Sequence, residues 1–212
     1  MSRPLSLRLK EDTAPAHQSA ERTGIVADML HRRLKREDYI RFLRDLHAVY
    51  EAMEAALERT REQPSLSALR FPELDRAASV AADLATLHGA SWQRDLPLSS
   101  AARKYVERIG QAESGHPERL AAHAYVRYLG DLSGGQMLKK LIGQSLGLNG
   151  TEGLEFYEFP RVPDPTAFKD GYRRRLDEMP LSAEQADGVV AEARDAFMLN
   201  MELAQAATSP AG

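Results

Sequence analysis

The chain has 212 residues, of which 43% are hydrophobic and 28% are charged, a balance typical of one folded domain and too apolar for a disordered chain. A formal net charge of -3 excludes a global basic field that would collect nucleic acid or anionic lipid. The lack of cysteine excludes disulfides, thiolate-held iron and iron–sulfur clusters.

We predict a single domain over residues 1–212, with flexible termini at about 1–8 and 207–212. No stretch reaches the length of about 18 apolar residues that a membrane span needs, and the N-terminal residues lack the long apolar core of a signal peptide. These patterns favour a cytoplasmic protein without a membrane anchor. We expect it to be a monomer that does not bind nucleic acid.

Apolar residues recur at three- and four-residue spacings, and alternating β-branched runs are scarce, which predicts an all-α fold. A first helix is predicted to begin at Thr13, whose hydroxyl can cap it, with Pro15 tolerated in the opening turn. This helix carries His17 and Glu21. Because Pro15 shortens or bends the segment ahead of it, we expect Lys10 to lie in a loop.

The clearest core helix is predicted from Glu37 to Arg59. Its apolar positions form one stripe at helical spacing, namely Ile40, Leu43, Leu46, Val49 or Tyr50, Met53 and Leu57. A loop separates this helix from a segment over Glu73 to His88, which Gly89 could terminate. Further segments follow Pro97 and Pro117.

Two later helices carry recognisable N-terminal caps. Asp164-Pro165 is typical of a cap followed by proline at the first helical position, and the helix that it opens carries Phe168, Lys169, Tyr172 and Arg173. Ser182 with Gln185 resembles a capping box, which predicts a last helix through Leu203.

The segment from Ala121 to Lys140 places three close glycines among helix-compatible residues. Gly130, Gly134 and Gly135 would each cost about 0.8–1 kcal/mol relative to alanine in a helix interior, so some interaction should offset them. Gly130 and Gly134 are four apart and share a face on which a partner can lie close to the backbone. Three explanations of these glycines remain open: contact with a flat ligand, packing of a second helix through small residues, and a hinge between two shorter helices.

Asp131 lies beside this glycine face, four residues after Arg127. An exposed Arg127–Asp131 pair contributes only about 0.2–0.5 kcal/mol and is far commoner than a catalytic carboxylate. From spacing alone, a surface ion pair is therefore the preferred interpretation. Each of the six histidines is by itself a weak candidate for a metal ligand, because a histidine is more often a surface or packing residue.

The run His-Ala-Tyr-Val-Arg-Tyr-Leu-Gly-Asp-Leu-Ser-Gly-Gly-Gln, from His123 to Gln136, closely resembles the heme oxygenase signature. The resemblance extends along nearly the whole chain, through Lys10, His17-x-x-x-Glu21, Tyr50, Phe159-Pro160, Phe168-Lys169, Tyr172-Arg173 and Ala196-Phe197 with Asn200. It implies an all-helical fold in which heme lies between a proximal helix bearing the histidine ligand and a kinked, glycine-containing distal helix.

The same resemblance implies residue roles. It identifies His17 as the axial iron ligand, with Glu21 near its second ring nitrogen, and makes His123 structural. It assigns Asp131 to a distal network that delivers protons during oxygen activation, supported by Arg127, Tyr50 and Asn200. The remaining implied heme contacts are Lys10, Tyr125, Gly130, Ser133, Gly134, Gly135, Lys169, Arg173 and Phe197.

The activity that the resemblance implies is oxidative heme cleavage to biliverdin, CO and ferrous iron, with heme as both cofactor and substrate and O2 as co-substrate. A separate reductase or ferredoxin would supply electrons, since no dinucleotide or flavin motif is visible. One alternative is a non-catalytic heme carrier or sensor that uses the same pocket and has no need of Asp131. Another is a different enzyme on the same scaffold, such as a thiamine-degrading relative.

Overall fold

The computed structural model describes residues 3–209, which form eleven α-helices and no β-strand. In chain order the helices are α1 (Leu5–Asp12), α2 (Ala14–Ala20), α3 (Gly24–Leu30), α4 (Arg36–Arg59), α5 (Ala77–Leu87), α6 (Trp92–Asp95), α7 (Ser100–Gly115), α8 (Leu120–Ala124), α9 (Gly130–Leu146), α10 (Pro165–Asp177) and α11 (Ala183–Thr208). A π-helical turn, Tyr125–Leu129, joins α8 to α9. The predicted all-α fold is confirmed.

Helix α4 lies at the centre of the fold. Leu43, Leu46, Tyr50 and Met53 on this helix are fully buried, and α4 packs against α5, α7 and α11. Burial of each such side chain stabilises the fold by about 1.5–3 kcal/mol. The helix begins one residue before its predicted start, and its packing fixes Tyr50 in the interior.

The predicted caps of the last two helices are confirmed. Asp164 accepts hydrogen bonds from the backbone N–H groups of Thr166 and Ala167, at 2.9 and 3.0 Å. The Ser182 hydroxyl accepts from Gln185 N at 3.2 Å while the Gln185 side chain accepts from Ser182 N at 2.9 Å, which completes the capping box. Helix α11 continues beyond its predicted end to Thr208.

The prediction for the N-terminal helix was partly wrong. The Thr13 hydroxyl donates to the Leu9 carbonyl at 2.6 Å and caps nothing, because Thr13 joins two helices instead of opening the first. Lys10 lies in α1 and not in a loop. Helix α1 forms because Leu5 and Leu9, one turn apart, are buried in the core, while Pro15 occupies the first turn of α2, where a missing N–H is tolerated.

The terminal segments were expected to be flexible. Residues 5–8 are part of α1, and residues 207–208 are part of α11, whereas residues 1–2 and 210–212 lie outside the described residues. Every helix within residues 3–209 is too short or too polar to span a lipid bilayer.

Candidate active site

A cavity of about 500 Å³ opens between α2 on one side and the π turn with α9 on the other. This volume is typical of a small-molecule site. Its polar wall includes Lys10, His17, Glu21, Asp131 and Arg173, and its apolar wall includes Val26, Met29, Phe42, Leu129, Leu138, Phe156 and Phe197. Most of the residues predicted to contact a ligand therefore meet in one place.

His17 is the imidazole on the α2 side. Its side chain is 56% exposed, and its ring packs edge-on against Phe197 of α11 with 5.9 Å between ring centroids. Glu21 follows the end of α2, and its Oε1 lies 3.8 Å from His17 Nδ1, beyond direct hydrogen-bond distance. A carboxylate this near favours a proton on Nδ1, which leaves the lone pair on Nε2.

Gly130 and Gly135 of α9 line the cavity on the side opposite α2. A Cβ atom added at Gly130 or Gly134 would meet no atom of the described residues within 4 Å, and one added at Gly135 would lie 3.4 Å from Tyr157 Cδ1. Close helix packing is therefore the wrong explanation for Gly130 and Gly134. The π turn just before Gly130 is an irregularity frequent at functional sites.

Four polar side chains near this face form one hydrogen-bonded network. The Tyr50 hydroxyl donates to Asp131 Oδ2 and accepts from Arg127 Nε at 2.9 Å. Arg127 also donates to Asp131 Oδ1 at 3.2 Å and to Asn200 Oδ1 at 2.6 Å. The network joins α4, the π turn, α9 and α11, and three of its members, Arg127, Asp131 and Asn200, line the cavity.

Burial governs the protonation of this network. Burial raises the pKa of Asp131, against the opposing effects of the Arg127 charge and the Tyr50 hydrogen bond. Burial lowers the pKa of Arg127, but Tyr50 and Asp131 outweigh it and raise that pKa overall, so Arg127 stays charged. The side chains of Arg127 and Asp131 are only 12% and 11% exposed, and the interpretation as a surface ion pair is therefore wrong.

Three predicted site residues do not line the cavity. Tyr50, Gly134 and Lys169 are outside the set that lines the cavity. Tyr50 reaches the wall through Asp131. Lys169 Nζ donates to the Ser133 hydroxyl at 3.3 Å, and Ser133 is itself a lining residue. Tyr125, Gly130 and Gly135 line the cavity as predicted.

His123 lies in the protein interior, apart from the cavity wall. It is fully buried on α8, and its Nε2 lies 3.1 Å from Glu192 Oε1 on α11. Its ring contacts Tyr105 with 5.5 Å between centroids. These contacts connect α8 to α7 and α11, which agrees with a structural role for His123.

Sequence reasoning missed the aromatic end of the cavity. Phe156 and Tyr157 line it from a short 3-10 turn, Glu155–Tyr157. It also missed Tyr105, whose hydroxyl accepts from Asn200 Nδ2 at 3.4 Å. Neither position carries a local motif, because each reaches the site through the packing of distant segments.

Known proteins are similar to this chain in both sequence and fold. The heme oxygenase family model matches residues 3–206. Heme oxygenase 1 of the cyanobacterium Synechocystis is 39% identical over 203 residues, which cover 96% of this chain and 84% of that protein. Heme oxygenase 1 of Rattus norvegicus is 40% identical over 205 residues, which cover 96% of this chain and 71% of that protein.

Solved structures agree with these matches. The crystal structure of heme oxygenase-1 from Synechocystis in complex with heme has a TM-score of 0.92 at 38% identity, covering 95% of this chain and 91% of that one. The heme oxygenase of Leptospira interrogans has a TM-score of 0.91 at 37% identity, covering 96% and 99% of the two chains. The chain therefore belongs to the heme oxygenase family, an enzyme class that opens heme.

Proposed function

We propose that this chain opens heme at a meso carbon and releases biliverdin, CO and ferrous iron. The observation that carries the proposal is one cavity with a single imidazole on its α2 side and, on the opposite side, a glycine face beside the buried carboxylate of Asp131. The Synechocystis relative was solved in complex with heme, and we extend heme binding to this chain on that basis.

The residues present fit a heme. His17 offers a nitrogen ligand, and the open space above Gly130 leaves room for a flat ring. Lys10 and Arg173, both on the cavity wall, are suitable donors to two propionates. When bound, heme supplies the iron at which O2 is activated and the ring that is oxidised.

The hydrogen-bonded network sets the position of Asp131 at the cavity wall. Asp131 accepts from both Tyr50 and Arg127, so these two donors fix the orientation of its carboxylate. Because burial raises the pKa of Asp131, this carboxyl group binds a proton more readily than an exposed aspartate does. We assign to Asp131 the transfer of a proton, directly or through water, to an acceptor in the cavity.

The reaction also needs components that the chain does not carry. We propose O2 as co-substrate and a separate reductase or ferredoxin as electron donor. The monomeric state, the cytoplasmic location and the lack of nucleic-acid and membrane partners stay predictions from the sequence.

Two variants test this assignment. His17→Ala is expected to weaken hemin binding and change the absorption spectrum of the complex, because the axial nitrogen is removed. Asp131→Asn is expected to bind hemin like the parent but to form biliverdin about 10²–10⁴-fold more slowly, the range that general acid catalysis supplies.

His116→Ala is the matched control, since His116 is also exposed but lies outside the cavity. It should leave the hemin spectrum and the turnover rate unchanged. Parental hemin binding by His17→Ala would contradict the ligand assignment. A parental rate in Asp131→Asn would contradict the proton-transfer assignment.

A further inference from the structure

The 3-10 turn Glu155–Tyr157, here called the aromatic wall, closes one end of the cavity. Its Phe156 ring lies 5.6 Å from the Tyr50 ring and 4.7 Å from the Tyr157 ring, measured between centroids. Tyr157 in turn lies against the backbone of Gly135. The position of the aromatic wall therefore affects both the distal network and the space over the glycine face.

Asp83 of α5 holds the start of the aromatic wall. Its side chain is fully buried, and its two carboxylate oxygens accept from Glu155 N and Phe156 N, each at 2.8 Å. Burial raises the pKa of Asp83 to about 6, while the two backbone hydrogen bonds act in the opposite direction. Within the described residues Asp83 forms no ion pair, so these amides are what offsets the desolvation of its carboxylate.

Other side chains that bond to the backbone of residues 153–157 do so at carbonyl groups. Gln136 Nε2 on α9 donates to Tyr157 O at 2.9 Å, the Tyr39 hydroxyl on α4 donates to Gly153 O at 3.2 Å, and Arg76 donates to Phe156 O at 3.3 Å. All three groups donate in these contacts, and within the described residues the amides of Glu155 and Phe156 donate to Asp83 alone. Asp83 therefore has no substitute among the described contacts of the aromatic wall.

We propose that Asp83 is a positioning residue that sets the depth of the heme cavity and, through it, which meso carbon is presented for oxidation. It acts by fixing the Phe156 and Tyr157 rings against Tyr50 and Gly135. The proposal rests on the proposed heme-opening function and adds a determinant of its regiochemistry that lies outside the cavity wall.

Asp83→Asn tests the proposal, because it keeps the side-chain volume but presents an NH2 group to one of the two amides. In the heme-free protein, the amide hydrogens of Glu155 and Phe156 should exchange with solvent at least about tenfold faster than in the parent. A tenfold change corresponds to about 1.4 kcal/mol, which is within the free-energy range for the loss of one hydrogen bond. In the hemin-loaded protein, the proportions of biliverdin isomers should shift. Asp45→Asn is the control, since Asp45 is also buried and accepts from a backbone amide, Ser99 N, away from the cavity.

Unchanged exchange at Glu155 and Phe156 would overturn the proposal, as would faster exchange with parental isomer proportions. The same isomer shift in Asp45→Asn would overturn it as well. Tyr157→Leu alters the aromatic wall without touching Asp83, so it should shift the isomers even if Asp83→Asn fails to fold, and an unchanged product would contradict the proposal. If the parent chain releases no ring-opened product, the proposed function is refuted instead. The exchange measurement on the heme-free protein does not depend on that function, so the two failures are distinguishable.

Discussion

Arg127 and Asp131 are four residues apart. On a protein surface, a helical ion pair at this spacing contributes little to the free energy of folding. Here both side chains are nearly buried, and Tyr50 and Asn200 bind them from two other helices. Burial and the added partners convert a common helical pair into a group that can hold a proton in a defined place. The local sequence of the pair does not reveal this change, because Asn200 lies 73 positions from Arg127 and Tyr50 lies 81 positions from Asp131.

Tyr50→Phe tests the contribution of the network to turnover. The variant removes the hydroxyl that bridges Arg127 and Asp131 and leaves the cavity lining unchanged. We expect parental hemin affinity and a single-turnover rate of biliverdin formation lower by about tenfold or more, since a hydrogen bond to a charged group is worth about 1.5–3 kcal/mol.

Tyr105→Phe provides the comparison, because within the described residues the Tyr105 hydroxyl bonds to one network member, Asn200, at the longer distance of 3.4 Å. Its rate should fall by less than about threefold. Equal rates in the two variants would show that the order of the network has no bearing on catalysis.

Glu192→Gln tests the acid stability of the interior. Burial acts to raise the pKa of Glu192, but His123 and Arg108 lower it from 4.5 to about 2. Since the folded-state pKa is depressed, the stabilisation is complete above about pH 4.5 and is lost as the pH falls towards 2. At 1.36 kcal/mol per pKa unit it amounts to about 3 kcal/mol.

Urea unfolding of the heme-free chain at pH 7, 4 and 3 measures this effect. The Glu192→Gln protein should be less stable than the parent at pH 7, and the difference should shrink at pH 3. Glu202 is on the same helix as Glu192, and Glu202→Gln removes a surface ion pair with Lys104 of α7. This control should cost less than about 1 kcal/mol. A pH-independent difference for Glu192→Gln would contradict the assigned ionisation.

Helix α9 carries glycines that lower its helical propensity, and the structure gives Gly130 and Gly134 no packing partner among the described residues. Their free-energy cost is therefore not offset by contacts within the protein. The space beside Gly130 instead adjoins the cavity between α2 and α9. At the scale of this element, stability and ligand binding should oppose each other.

Gly130→Ala is expected to separate these two effects. It should raise the free energy of unfolding of the heme-free protein by about 0.8–1 kcal/mol, because alanine favours the helix. It should also weaken hemin binding, because the new methyl group occupies the space over the ring. Chemical unfolding and hemin titration measure the two quantities.

Gly110→Ala on α7 is the matched control. A Cβ added there also meets no atom within 4 Å, but Gly110 lies outside the cavity lining. It should stabilise the protein to a similar extent and leave hemin binding unchanged. Hemin affinity equal to the parent in Gly130→Ala would show that the glycine face does not adjoin the ligand.

Individual elements differ in how far the sequence predicts them. Helix α4 and the caps at Asp164 and Ser182 follow from periodicity and short-range hydrogen bonding, so local residues suffice. Helix α1 was missed because only Leu5 and Leu9 bury apolar surface, too few for a periodic signal. The aromatic wall was missed because Asp83, which holds it, lies 72 positions before Glu155.

At the scale of the whole molecule, α4 and α11 form the support on which the two sides of the cavity are held apart. Helix α11 contacts α2, α3, α4 and the π turn and carries both Phe197, which packs on His17, and Asn200, which binds Arg127. Periodicity predicts these long helices but not their relative positions. The family resemblance supplied that arrangement, and the structure gives the contacts that maintain it.

The central claim is that heme binds between the His17 imidazole and the glycine face beside the Asp131 carboxylate, and that its ring is opened there. The most direct measurement is to incubate the purified chain with hemin, a reducing system and O2 and to identify the tetrapyrrole released. We predict biliverdin from the parent and little from Asp131→Asn under the same conditions. Recovery of intact heme from a parent protein that had bound it would contradict the claim and would instead indicate a carrier or sensor.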